Sequence, residues 1–214
     1  MFTSRIAICT AISIAAFAGA ASAQSAGDWT LGFGLGYSMP KYDNGDISSE
    51  KLDGDYSARN LTITASDSLR PTFSAEYFFM ENVGAELSIA VPYAHTLDIQ
   101  DFGKDNEITL LPATLSVLYH WQLDSPVSYI FGLGVNYTWA QDGEGSGELD
   151  GIEFENSWGI AALLGVDYKL NDRNSIRGDL RWIDMDSEAT LDGNKVGEVM
   201  VDPAILGISF IRKF

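Results

Sequence analysis

The sequence predicts an all-β protein, an eight-stranded antiparallel transmembrane β-barrel with short periplasmic turns and long acidic external loops, and three observations predict it. The first is the stretch 128–139, SYIFGLGVNYTW, which alternates with a strict period of two. Tyr129, Phe131, Leu133, Val135, Tyr137 and Trp139 share one parity, and Ile130, Gly132, Gly134, Asn136 and Thr138 share the other. Aromatic residues close both ends of the apolar face and aliphatics fill the middle, the layout of a strand crossing a bilayer between its two interfaces. The second observation is recurrence. Trp29, Leu31, Phe33, Leu35 and Tyr37 follow the same rule, as do Trp158, Ile160, Ala162, Leu164, Val166 and Tyr168. Hydrocarbon leaves no backbone N–H or C=O a partner outside the protein, so repeated strands of this kind imply a closed ring. The third is the spacing: connections at 80–83, 122–127 and 171–174 are short, and those between them are long and acidic.

The chain opens with residues 1–5, carrying one positive charge, an apolar run over 6–20, and Ala21-Ser22-Ala23 before Gln24. That is the pattern of a secretory signal peptide with cleavage after Ala23. The domain organisation expected is therefore a cleaved signal at 1–23 and an outer-membrane barrel at 24–214. Removing 23 of 214 residues leaves 191, enough for one barrel. The single cysteine, Cys9, lies in the signal, so neither disulfides nor thiol chemistry is expected of the exported protein. With Arg5 gone, 30 acidic face 12 basic side chains, a net of −18, which argues against binding nucleic acid through its phosphates. The acids gather at 41–67, 98–107, 142–155 and 184–198, each between two strand candidates.

The strands, in order, rest on residue parity. Strand 1, 28–38, sets Trp29 to Tyr37 against Thr30, three glycines and Ser38. Strand 2, 68–79, turns Thr72 and Glu76 inward, and strand 3, 84–97, turns Glu86, Ala90 and Pro92 inward. Strand 4, 108–121, presents Leu110, Pro112, Thr114 and His120 to the interior, and strand 5, 128–140, presents Asn136 and Thr138. Strand 6, 156–170, faces Ala161, Asp167 and Lys169 inward; strand 7, 175–187, faces Arg177, Asp179, Arg181, Ile183 and Met185 inward. Strand 8, 200–214, sends Ile205 and Lys213 inward and alternates Leu206, Ile208 and Phe210 outward before Phe214, a terminal aromatic that barrel-assembly machinery is expected to read. Arg212 interrupts that outward set and is expected to snorkel to the interface. An even strand number puts both ends in the periplasm.

Small barrels fill their interior with side chains, so the inward parity describes the lumen. Glu76, Glu86, Asp167 and Asp179 balance Lys169, Arg177, Arg181 and Lys213, nearly all within a few residues of the periplasmic turns. Buried charges persist when paired, so these eight residues are expected to form an ionic layer near the periplasmic end, with His120 at the same level. Such a layer plugs the barrel, stabilises it, or does both. Above it the inward residues become apolar: Ala90, Pro92, Leu110, Pro112, Ala161, Ile183, Met185 and Ile205. An apolar cup over a charged floor admits a hydrophobic solute but disfavours its passage straight down. Pro71, Pro92, Pro112 and Pro203 each remove a ladder donor in the outer half. Two readings follow: pairing between the third and fourth strands is interrupted at Pro92 and Pro112, opening the cup sideways to the outer leaflet, or the prolines end strands above the bilayer.

Specific blocks carry a family resemblance. Arg70-Pro71-Thr72, residues 81–87 (ENVGAEL), 111–115 (LPATL), 132–138 (GLGVNYT), Ser157-Trp158-Gly159, 165–168 (GVDY) and Asp184-Met185-Asp186 resemble the OmpW family of small outer-membrane barrels over nearly all of the mature chain. The resemblance implies eight strands, a narrow and rather apolar lumen, and passive uptake of small hydrophobic molecules. It implies no cofactor. Expected partners are outer-membrane lipid and lipopolysaccharide, small hydrophobic solutes and, during biogenesis, the assembly machinery.

Two chemical motifs are weaker. Residues 142–153, DGEGSGELDGIE, fit calcium-loop spacing through Asp142, Glu144, Ser146, Asp150 and Glu153 but lack flanking helical patterns, so a solvated loop is the plainer reading. His95 and His120 are the only histidines; no serine-centred motif accompanies either, so no enzyme is expected. A non-transporting structural, adhesive or stress-protective surface barrel is the alternative function. A lipocalin-like soluble barrel would need the two faces exchanged.

Overall fold

The structure is a computed structural model, and it describes residues 25–41, 44, 46–48, 60–99, 103–123, 125–141, 152–191 and 194–214. Residues 1–24, with the expected signal, and parts of the acidic stretches, chiefly 49–59 and 142–151, lie outside them. The strands are β1 (Trp29–Met39), β2 (Asp46–Ser48), β3 (Asn60–Ala65), β4 (Ser68–Met80), β5 (Val83–Ala90), β6 (Tyr93–Ile99) and β7 (Gly103–Gln122). They continue as β8 (Val127–Gln141), β9 (Ile152–Phe154), β10 (Ser157–Asn171), β11 (Asn174–Ile183), β12 (Asp186–Leu191), β13 (Asn194–Met200) and β14 (Ala204–Lys213).

Eight of these close a ring in which each strand pairs antiparallel with the next: β1, β4, β5, β7, β8, β10, β11 and β14, sealed where β14 returns to β1. The seal runs from Thr30–Lys213 to Met39–Ala204, so first and last strands bond along their full length. The pattern is inside out, as hydrocarbon demands. Along β1, Trp29, Leu31, Phe33, Leu35 and Tyr37 are exposed while Thr30, Gly32, Gly34, Gly36 and Ser38 are buried in the lumen wall. Tilted rings stack along this outer surface, Trp29 on Tyr77 and Phe33 on Phe73 across the β1–β4 ladder.

The sequence predicts eight continuous strands; the structure divides two of them, 84–97 and 175–187, and adds breaks just before the second strand and where the last begins. Breaks fall at 66–67, 91–92, 184–185 and 201–203. Proline explains two, since Pro92 and Pro203 lack the donor a ladder needs. At the last break Asp202 also takes a positive φ of 36°, and its Oδ1 accepts the Met185 N–H at 2.9 Å, tying two breaks together. Beyond them β9, β12, β13, β2, β3 and β6 pair in that order and join β7, extending the wall outward. β3 covers Leu61 and Ile63 and stands as a separate segment beyond the second ring strand.

The ladder on the β7 side of the third strand stops at Ile89–Ala113 and resumes at Tyr93–Leu110. On the β4 side the gap is longer. Pairing ends at Thr72–Ala90, one further bond runs from the Val91 N–H to the Pro71 carbonyl, and the ladder resumes only at Ala65–Leu97. The interruption expected between the third and fourth strands is thus the smaller of two, since on the β4 side the 66–67 break lengthens the gap.

Candidate functional site

Sheet register, rather than any local motif, assembles the charged layer. Glu76 on β4 and Glu86 on β5 are direct cross-strand partners, an arrangement that repels unless a cation bridges it. Across the lumen, Asp167 on β10 is the register partner of Arg177 on β11. Arg177 spends its whole fork. Its Nε donates to Asp167 Oδ1 at 2.9 Å and Nη2 to Asp167 Oδ2 at 3.1 Å, while Nη1 donates to Glu86 Oε2 at 2.8 Å. Nη2 also lies 3.4 Å from Glu76 Oε2, so one guanidinium serves three carboxylates from three strands. Arg181 Nη2 donates to the other Glu86 oxygen at 2.9 Å. His120 Nε2 lies 2.7 Å from Glu76 Oε1, its Nδ1 lies 3.9 Å from Asp167, and its ring packs on Phe78. Glu76, Glu86, Asp167 and Arg177 are 1, 2, 5 and 3 % exposed. Charges so deeply withdrawn persist because nearly every oxygen has a donor.

A close approach makes room for this. A Cβ on Gly84 would overlap the Glu76 carboxylate, so the glycine is a requirement of the layer rather than of the turn beside it.

Three residues of the expected layer stand apart from it. Lys169 pairs with Asp172 at 3.0 Å and Lys213 with Asp28 at 2.6 Å, both at the periplasmic rim, because their long stems reach the nearest turn carboxylates instead of the lumen centre. Asp179 is partly buried and borders the cavity above the layer. Burial raises the Asp28 carboxyl, but the Lys213 hydrogen bond, the Ser25 N–H and the Lys213 charge outweigh it and hold Asp28 below the usual carboxylate range.

Two small cavities flank the layer. The lower, lined by Thr30, Gln122, Lys169 and Lys213 among others, touches it through Asp167; the upper touches it through Glu86, Arg177 and Arg181. Each holds about 60 Å³, room for several waters on the scale of roughly 10–15 Å³ per site. Of the apolar cup expected from the sequence, Ala90, Pro112, Ile183 and Ile205 line the upper cavity. Leu110, Ala161 and Met185 are buried without bordering it, and Pro92 is exposed at the strand break. Hydroxyls the sequence reading passed over, on Ser74, Ser88 and Ser209, share the wall, so the cup is mixed in character. Also missed were Leu118, Ile130 and Leu163, a buried apolar cluster in the interior. Their inward parity was available as a signal.

At the outer end, Asp184, Asp186 and Asp202 lie together, with Lys41 Nζ 2.6 Å from Asp202 Oδ2. Burial, then the charges of Asp202 and Asp184, push the Asp186 carboxyl up. Residues 142–151 of the calcium-like stretch lie outside the described residues, as does the His95 side chain.

The OmpW family model matches residues 25–214. Outer membrane protein W of Salmonella typhimurium is 30% identical over 148 residues, covering 64% of this chain and 69% of that protein. Outer membrane protein AlkL of Ectopseudomonas oleovorans is 24% identical over 189 residues, covering 85% and 80%. Among solved structures, OprG of Pseudomonas aeruginosa superposes with a TM-score of 0.77 at 29% identity, covering 89% of this chain and 97% of that one. The Escherichia coli outer membrane protein W gives 0.60 at 26% identity, covering 89% and 99%. With ring closure, inside-out surface and a family match over residues 25–214 in agreement, the chain belongs to the OmpW family and is an outer-membrane β-barrel.

Proposed function

We propose that this barrel admits small, largely hydrophobic molecules by passive diffusion from outside into the upper cavity and releases them sideways into the bilayer. The observation that carries the reading is the contrast between the layer and the wall. Straight passage would have to break a guanidinium held by three buried carboxylates, a disruption of about 3–5 kcal/mol. The wall beside the cup, by contrast, is interrupted on both sides of the third strand: the β7 ladder is missing between Ile89–Ala113 and Tyr93–Leu110, where Pro92 and Pro112 remove donors, and the β4 ladder between Thr72–Ala90 and Ala65–Leu97 apart from the Val91 bond, among the described residues. Apolar Ala90, Pro112, Ile183 and Ile205 give a solute a surface to leave water for.

The test is uptake of a small apolar fluorophore by proteoliposomes, comparing the intact barrel with a Pro92→Val, Pro112→Val double variant. Uptake faster than in empty liposomes and lost in the variant is expected. Uptake equal to empty liposomes overturns transport and favours a structural, adhesive or stress-protective surface barrel. The reading is non-enzymatic and uses no cofactor: His120, the described histidine, gives its Nε2 to Glu76 inside the layer rather than to a nucleophile. Residues 1–23 are proposed to be removed on export, which N-terminal sequencing of the membrane form checks. Lipopolysaccharide is proposed as the neighbour of the acidic outer end, and assembly machinery as the transient partner of β14.

A further inference from the structure

Asp179 is a carboxylate that the charged layer does not use. On both flanking strands its register partner is a glycine, Gly165 on β10 and Gly207 on β14. A Cβ on Gly207 would lie 2.7 Å from Asp179 Oδ1 and 2.9 Å from Oδ2, so the carboxylate rests in space that only glycine leaves vacant. Among the described residues it makes no ion pair within 4.0 Å and accepts no hydrogen bond, although it borders the upper cavity. The neighbouring cations are committed elsewhere: Arg177 to Asp167, Glu86 and Glu76, Arg181 to Glu86. Counting the cluster, Glu76, Glu86, Asp167 and Asp179 face Arg177 and Arg181, and a charged His120 would still leave acid in excess. The potential at the base of the cup is therefore negative, and its one carboxylate without a donor is aimed where a solute would end.

We infer that Asp179 is a head-group site for cationic amphipaths: a primary alkylammonium seats its nitrogen on the Asp179 carboxylate and lays its chain along Ile183, Ile205, Ala90 and Pro112. This inference rests on the transport reading for its physiological meaning and on geometry alone for binding. The chemistry is a charge-assisted hydrogen bond in a water-poor site, and the order of preference is fixed by sign. Ammonium binds best, the neutral alcohol of the same length less well, and the carboxylate least, because it meets uncompensated acid.

The experiment is calorimetric titration of hexylammonium, hexanol and hexanoate into the mature barrel in lipid nanodiscs, with empty nanodiscs as the baseline. Hexylammonium is expected to bind about tenfold more tightly than hexanoate, a ratio that one charge-assisted hydrogen bond supplies. Asp179→Asn and Asp179→Ser are each expected to remove that preference, with the shift in gel migration on heating reporting that each variant is folded. Equal binding of hexylammonium and hexanoate to the intact barrel overturns the inference, as does a preference that survives in either folded variant. Apolar fluorophore uptake by the intact barrel, measured on the same preparation, judges the transport reading separately: its failure with ammonium preference intact leaves a binding site without a channel.

Discussion

The periplasmic half of this barrel and its outer half obey one alternating pattern, yet they are closed by opposite means. Around Glu76, Glu86, Asp167 and Arg177 the ladders run unbroken through the neighbouring strands, and the interior is filled by charge whose donors and acceptors are nearly all matched. Around Ala90, Pro92 and Pro112 the ladders stop and restart, the wall divides into tiers, and the interior holds a cavity with an unmatched carboxylate. The difference teaches where a small membrane barrel tolerates openings. Buried charge requires register, so the half that carries it cannot slip; the half that carries apolar and hydroxyl groups can lose several hydrogen bonds without stranding an ion.

That contrast is broken most severely by Arg177→Met. Three carboxylates then lose the cation they share, Glu86 keeping only Arg181, and a loss of about 3–5 kcal/mol is expected, read as a lower urea midpoint in lipid vesicles. Gly84→Ala attacks the same half sterically. The new methyl meets the Glu76 carboxylate, and a loss of about 1–3 kcal/mol is expected from the same measurement. Pro92→Val sharpens the contrast from the other side: it restores one N–H at the interruption, for a gain of about 0.5–1.5 kcal/mol and slower amide exchange in β6 and β7 near Tyr93 and Leu110.

The smallest effect belongs to the rim. Asp28 sits below the usual carboxylate range beside Lys213, so its contribution is present above the ordinary value of 3.8 and is lost as pH falls through the lower folded value. For a pair this accessible the amount is about 1 kcal/mol at most. Lys213→Met is expected to lower the melting temperature slightly at neutral pH and to flatten its fall in that acid window.

Much of this was legible in the residues. Alternation at Trp29 to Tyr37 specifies β1 and its orientation, since only one face can meet lipid. Inward parity alone places Glu76, Glu86, Asp167, Arg177 and Arg181 on the interior face. The failures share a cause. A single strand's parity says which side a residue faces, not which residue stands beside it, so the Gly165–Asp179–Gly207 row and the long gap beside β4 were invisible. Lys169 and Lys213 stand apart through reach: a flexible stem at the rim finds the nearest rim carboxylate, Asp172 or Asp28, before the lumen centre. Leu118, Ile130 and Leu163 share the inward parity, but parity does not show that three strands bring them into one cluster.

In the proposed reading the Arg177 layer divides the two small cavities, each with room for several waters, and the consequence is electrical. A planar bilayer crowded with this protein should stay nearly as resistive as bare lipid, because an ion in transit would have to displace a guanidinium already neutralised on three sides. A cell could display many copies at its surface and keep its outer membrane tight to salt.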